Sequence, residues 1–171
     1  MRHLHFGKLF FVVFSLLLAY TVSARKPIKT LLITGQNNHN WQVSHVVLKQ
    51  ILENSGRFDV DFVISPEQGK DMSGFVLDFS PYQLVVLDYN GDSWPEETNR
   101  RFLEYVQNGG GVVIYHAADN AFSKWPEFNR ICALGGWEGR NENSGPYVYW
   151  KDGKLVKDSS AVLMDASTNM C

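Results

Sequence analysis

Apolar residues fall along this chain in two alternating patterns, short unbroken runs and helical stripes. Residues 30–34 (TLLIT) carry no polar face, the mark of a strand buried on both sides in a parallel sheet. Helical spacing follows over residues 43–55. Val43, Val46, Val47 and Ile51 make one stripe, widened by Leu48 and Leu52, and this stripe is expected to face the core. Gly56 stands where a helix C-cap belongs. Residues 58–65 (FDVDFVIS) alternate and then turn apolar, which predicts a second strand. Residues 66–81 are polar and broken by Gly and Pro, with room for one short element at 75–77. Residues 84–87 (LVVL) predict a third strand. Ser93 and Glu96 have capping-box spacing with Pro95 in the first turn, and the helix they open runs to Gln107. Residues 112–115 (VVIY) predict a fourth strand and 126–134 a third helix. Asp152-Gly153 between two β-rich runs predicts a two-residue hairpin.

Strand and helix alternate, so the expected fold class is α/β, a doubly wound and mostly parallel sheet. In such sheets ligands bind beyond the carboxyl ends of the strands. Three of the apolar runs end in polar clusters: 36–40 (QNNHN), 88–92 (DYNGD) and 116–120 (HAADN). Parallel strands would bring all three to one rim. A turn is polar in any case, but three together, two of them with a His, predict a binding cleft.

Composition narrows the class. The chain has 171 residues, 44% apolar and 13% aromatic, enough for one domain with a core. A net charge of -2 without a Lys/Arg cluster excludes a nucleic-acid footprint. No glycine pattern for a nucleotide and no Gly-x-Ser-x-Gly elbow is present. Residues 1–24 read as a secretory signal peptide. Arg2, His3, His5 and Lys8 are its basic part, Leu9 to Tyr20 its apolar part, and Val22-Ser23-Ala24 the small residues at a cleavage site. That apolar run falls short of the ~20 residues a span needs. No stable membrane span is therefore expected after cleavage, and the mature domain, residues 25–161, is expected to be secreted or periplasmic. Cys132 and Cys171 make no disulfide framework. Cys132 sits in an apolar helical pattern, where a buried inert thiol is the expectation.

TLLITGQNNHNW, LVVLDYNGDSWPEETNRRFLEYVQNGGGVVIYHAADNAF and WPEFNRICALGGW together resemble the ThuA-like (trehalose utilisation) domain family of the class I glutamine amidotransferase-like superfamily. The resemblance covers residues 28–157, and GGGVVIYHAA is its most specific part. It implies a flavodoxin-like sheet and an association with the breakdown of disaccharides, oxidised 3-keto sugars among them. Amidotransferases of that superfamily carry a nucleophilic Cys after the strand that follows the glycines. Tyr115-His116-Ala117 takes that place here, so Cys–His hydrolysis is not available at this turn. Any activity would be of a hydrolase or lyase kind without a Cys nucleophile.

His39 and His116 are the residues to weigh. A His at a strand's carboxyl end serves as a general base, a metal ligand or a structural group. As a pair they are candidate catalytic residues, and candidate ligands for a divalent metal, although two His without a third ligand say little. Asp119 could orient His116, bind a sugar hydroxyl or cap the next helix. Asn37, Asn38, Asp88, Asn90 and Asn120 are candidate sugar-binding residues, with turn chemistry the competing reading. Trp41, Trp94, Trp137 and Trp150 are possible stacking platforms, Trp41 first because it borders the His39 loop. The expected ligand is a carbohydrate; the competing readings are a non-catalytic binding module and an inactive fragment.

The tail after Ala161 departs from the family pattern, which continues with a Gly- and His-rich stretch. Residues 162–171 (VLMDASTNMC) can be written as GTG CTC ATG GAC GCC AGC ACG AAT ATG TGC. With one G placed in front, the same bases read Gly-Ala-His-Gly-Arg-Gln-His-Glu-Tyr-Val. A frameshifted or truncated reading after Ala161 is therefore expected, and resequencing around codon 162 checks it.

Overall fold

A computed structural model describes residues 26–133 and 146–158. The expected signal peptide, Trp137, Cys171 and the expected aberrant tail lie outside the described residues. Four strands form one sheet: β1 (Ile28–Thr34), β2 (Phe58–Ile64), β3 (Leu84–Leu87) and β4 (Gly111–Ile114), in the order β2-β1-β3-β4. Every pairing is parallel, with Thr30 beside Val60 and Leu84, and Val86 beside Val113. The chain is α/β as expected. Three α-helices accompany the sheet among the described residues, α1 (Trp41–Asn54), α2 (Glu96–Gln107) and α3 (Pro126–Cys132), with a short 3-10 turn at Ala118–Asn120. A hairpin of β5 (Tyr147–Lys151) and β6 (Lys154–Asp158) stands as a separate two-stranded sheet. Its turn uses Asp152 at φ 51° and Gly153 at φ 76°, the double positive φ of a type I′ turn.

The unbroken apolar runs are explained by cover on both faces. Leu31, Ile33, Val85 and Leu87 point into the larger core with Phe75, Phe79, Tyr89, Trp94, Phe102 and Phe128. Leu32, Val60 and Val86 point the other way, towards α1. The 66–82 connection forms no helix or strand, 75–77 included. Thr98 of α2 holds it, donating from Oγ1 to Phe75 O at 2.7 Å and accepting from Leu77 N at 3.3 Å.

Two sequence expectations are corrected. Val43, Val46, Val47 and Ile51 are exposed; of the expected stripe Leu48 and Leu52 do face the sheet, and His45 joins them. At 100° per residue, 45, 48 and 52 share a face and 43, 46 and 47 lie off it. Ser44 and His45, held at the carboxyl rim as described below, fix that phase. The capping box is also absent. Pro95 is the N-cap of α2 and no side-chain cap bond forms, the Glu96 and Glu97 carboxylates in the first turn supplying the favourable charge.

Candidate functional site

The site begins where β1 ends. Gly35 takes φ 121°, and a Cβ there would stand 2.5 Å from Ser65 N. Only glycine lets β1 turn so close to the end of β2. Gln36, buried, then ties three strand ends together. Its Nε2 donates to Pro66 O at 2.8 Å, its Oε1 accepts from Asp92 N at 2.7 Å, and its carbonyl accepts from Asn90 N at 2.8 Å. Gly91 leaves the room for that side chain, since a Cβ would fall 2.2 Å from Gln36 Oε1.

β1, β3 and β4 are neighbours and parallel, so the 36–40, 88–92 and 116–120 loops meet at one end of the sheet. The His39 and His116 rings face each other with centroids 5.2 Å apart. His39 N is held by Asn37 Oδ1 at 3.0 Å. The residue after His116, Ala117, is fully buried and takes φ 75°, a left-handed conformation strained for a side chain. Such strain persists where the surroundings impose it, and active sites are a common place for it.

Asp88 is 1% exposed and works from beneath the rim. Ser44 Oγ donates to it at 2.5 Å, Asn37 Nδ2 at 3.0 Å and Thr34 Oγ1 at 3.4 Å. It anchors the His39 loop and the first turn of α1 to β3, and its oxygens face protein donors rather than the cleft. Burial raises its pKa, against the hydrogen bonds from Ser44, Thr34 and Asn37 and the charge of His45. The neutral carboxyl is thus favoured by folding. The stabilisation this gives is full below the unfolded Asp pKa, ~3.9, and is lost as pH rises through the folded value. Asp88→Asn removes the buried charge with little change of shape. The melting-temperature difference between Asp88→Asn and the parent is expected to move in favour of Asn as pH rises from 4 to 7; a difference independent of pH would sink this account.

Beside the His pair lies a cleft of about 760 Å³. Asn37, Asn38, Asn90, Asn99, Asn120 and Gln68 give it an amide-rich lining, and Phe122 and Trp125 an aromatic one. Asn90 Nδ2 donates to Asn38 Oδ1 at 3.3 Å across the rim. Four of the six candidate sugar-binding residues therefore meet there: Asn37, Asn38, Asn90 and Asn120. Asp88 lies behind them. Trp41 packs on His45 with centroids 5.9 Å apart and does not line the cleft. Trp94 is buried in the core, and Trp150 is exposed on the hairpin. No hydrogen bond joins Asp119 to His116. One Asp119 oxygen is shielded without a hydrogen-bond partner among the described residues. Cys132 is close enough to sense the Asp119 charge; burial first, and that charge second, push its thiol up to about 12, which leaves it inert at neutral pH. Among the described residues no three His, Cys, Asp or Glu side chains gather as a metal site. His39 and His116 supply two imidazoles, short of the three protein ligands of a catalytic zinc centre.

The chain matches no family model, and no curated protein matches it. The site therefore stands on its own geometry. Trp125, Phe122, Asn99 and Gln68 are among the lining residues that sequence reasoning missed. A signal for Trp125 existed: Trp125-Pro126 opens a helix directly after the third strand-end loop, which returns the ring to the rim.

Proposed function

We propose that this chain handles a carbohydrate, as an exported ThuA-like protein with a flavodoxin-like sheet. The order β2-β1-β3-β4 supports that sheet, being the first four strands of the flavodoxin-like order, whose ligands sit at the β1/β3 switch point. The observation that carries the function is the pairing of an aromatic wall, Phe122 and Trp125, with an amide rim in one cleft. A sugar offers apolar C–H faces to the first and hydroxyls to the second. His39 and His116 beside it supply acid/base chemistry on a di- or oligosaccharide or an oxidised-sugar derivative. One observation favours a non-catalytic binding module instead: neither imidazole lines the cleft.

No helix among the described residues is long and apolar enough to cross a membrane. Export by residues 1–24 is part of the proposal. The test of the function is calorimetric titration with a panel of di- and oligosaccharides. Saturable binding is expected, weakened about tenfold or more by Trp125→Ala, in line with the ~1.5 kcal/mol or more lost when a buried aromatic contact goes. Absence of binding to every saccharide, or binding indifferent to Trp125, would overturn it.

A further inference from the structure

The outer strand of the sheet carries a feature independent of the cleft. Among the described residues β2 has β1 as its one sheet neighbour. Ile28 N donates to Arg57 O at 2.8 Å and Ser65 N donates to Thr34 O at 2.8 Å, so the odd-numbered residues turn their backbone groups to β1. In a parallel strand a residue's N–H and C=O point to the same side. Phe58, Val60, Phe62 and Ile64 therefore present theirs outward, the pattern that invites another strand.

Val60 is covered. Lys49 Nζ donates to Val60 O, and Val60 N donates to Glu53 Oε1 at 3.4 Å. Lys49 and Glu53 are one turn apart on α1 and pair with each other at 2.6 Å. Together they give Val60 what a partner strand would give, Lys49 a donor for its carbonyl and Glu53 an acceptor for its amide. The side chain of Val60 is buried under α1, while Phe62 and Ile64 on the same edge are 46% and 47% exposed. Pro66, just past the end of β2, has no N–H to offer, and its carbonyl already accepts from Gln36 Nε2. Phe62 and Ile64 are left as a short open window between the two.

We propose that the Lys49–Glu53 pair plugs the edge of β2 against strand pairing with a second copy of this chain. A two-fold pairing centred on Val63 would set Phe62 against the partner's Ile64, and Val60 against the partner's Pro66. At each end of that ladder the plug of one copy would meet the proline of the other. Two residues alone are too few to hold two molecules together, so the exposed apolar pair stays unpaired.

Amide exchange on the full chain reads the plug directly. The Val60 amide is expected to exchange about tenfold slower than the Phe62 amide, the protection of one hydrogen bond of ~1.4 kcal/mol. Lys49→Gln/Glu53→Gln keeps a donor and an acceptor and is expected to keep that protection. Lys49→Met/Glu53→Met keeps the bulk and loses both. It is expected to lose the Val60 protection and to sediment with a mass that rises with concentration relative to the parent. Equal exchange at Val60 and Phe62 in the parent would overturn the proposal, as would a folded double-Met variant that keeps the parent's mass. If the double-Met variant does not fold, the comparison within the parent decides alone.

Discussion

His116→Ala is expected to lower turnover of a cleft-bound saccharide by about 10²–10⁴-fold while its affinity changes by less than about threefold. The split follows from the geometry. The residues that line the cleft, Asn37, Asn38, Asn90, Asn120, Phe122 and Trp125, are untouched by the substitution. What goes is one of two imidazoles that face each other at 5.2 Å. His39→Ala is expected to give a similar loss, and the double variant little more, because groups that act as a unit are not additive. Steady-state kinetics with a separate binding measurement checks this. Turnover unchanged in His116→Ala would remove the His pair from the chemistry. Binding without turnover in the parent would favour the module over the enzyme.

The fold was legible because its strands advertise themselves. Runs such as TLLIT and LVVL have no polar face, which happens where helices cover both sides of a parallel sheet. From there the common rim followed, and with it the meeting of His39, Asn38, Asn90 and His116. The errors have one physical source. Sequence periodicity gives the spacing of a helix stripe but not its phase relative to the sheet. Val43, Val47 and Ile51 are as apolar as Leu48 and Leu52, and only the Ser44–Asp88 bond and the seat of His45 under Trp41 decide which set turns inward. Asp88 stays divided between turn chemistry and ligand binding in the sequence for a related reason. An acidic residue in a strand-end loop has the same letter whether it faces a ligand or three protein donors. Trp125 was missed because it belongs by sequence to the start of α3, while by packing it belongs to the cleft.

Phe102→Ala is expected to cost about 3–5 kcal/mol and to lower the melting temperature on the order of 10–20 °C. Phe102 is fully buried at the centre of an aromatic cluster. Its ring lies 5.5 Å from Phe79, 5.8 Å from Trp94, 6.2 Å from Trp125 and 6.4 Å from Phe128, centroid to centroid. Removing it takes away large apolar area and leaves a void that rigid rings fill poorly. Domains of this size have ~5–15 kcal/mol in all. The loss also reaches the site: Trp125 leans on Phe102 and Phe128, so saccharide affinity is expected to fall with stability. Val47→Ala is the matched control. Val47 belongs to the stripe the sequence turned inward, yet it is exposed, and its removal is expected to cost less than about 0.5 kcal/mol. Thermal or urea unfolding of the two variants side by side separates the alternatives. A Val47→Ala cost comparable to that of Phe102→Ala would show that something covers this face of α1 in solution.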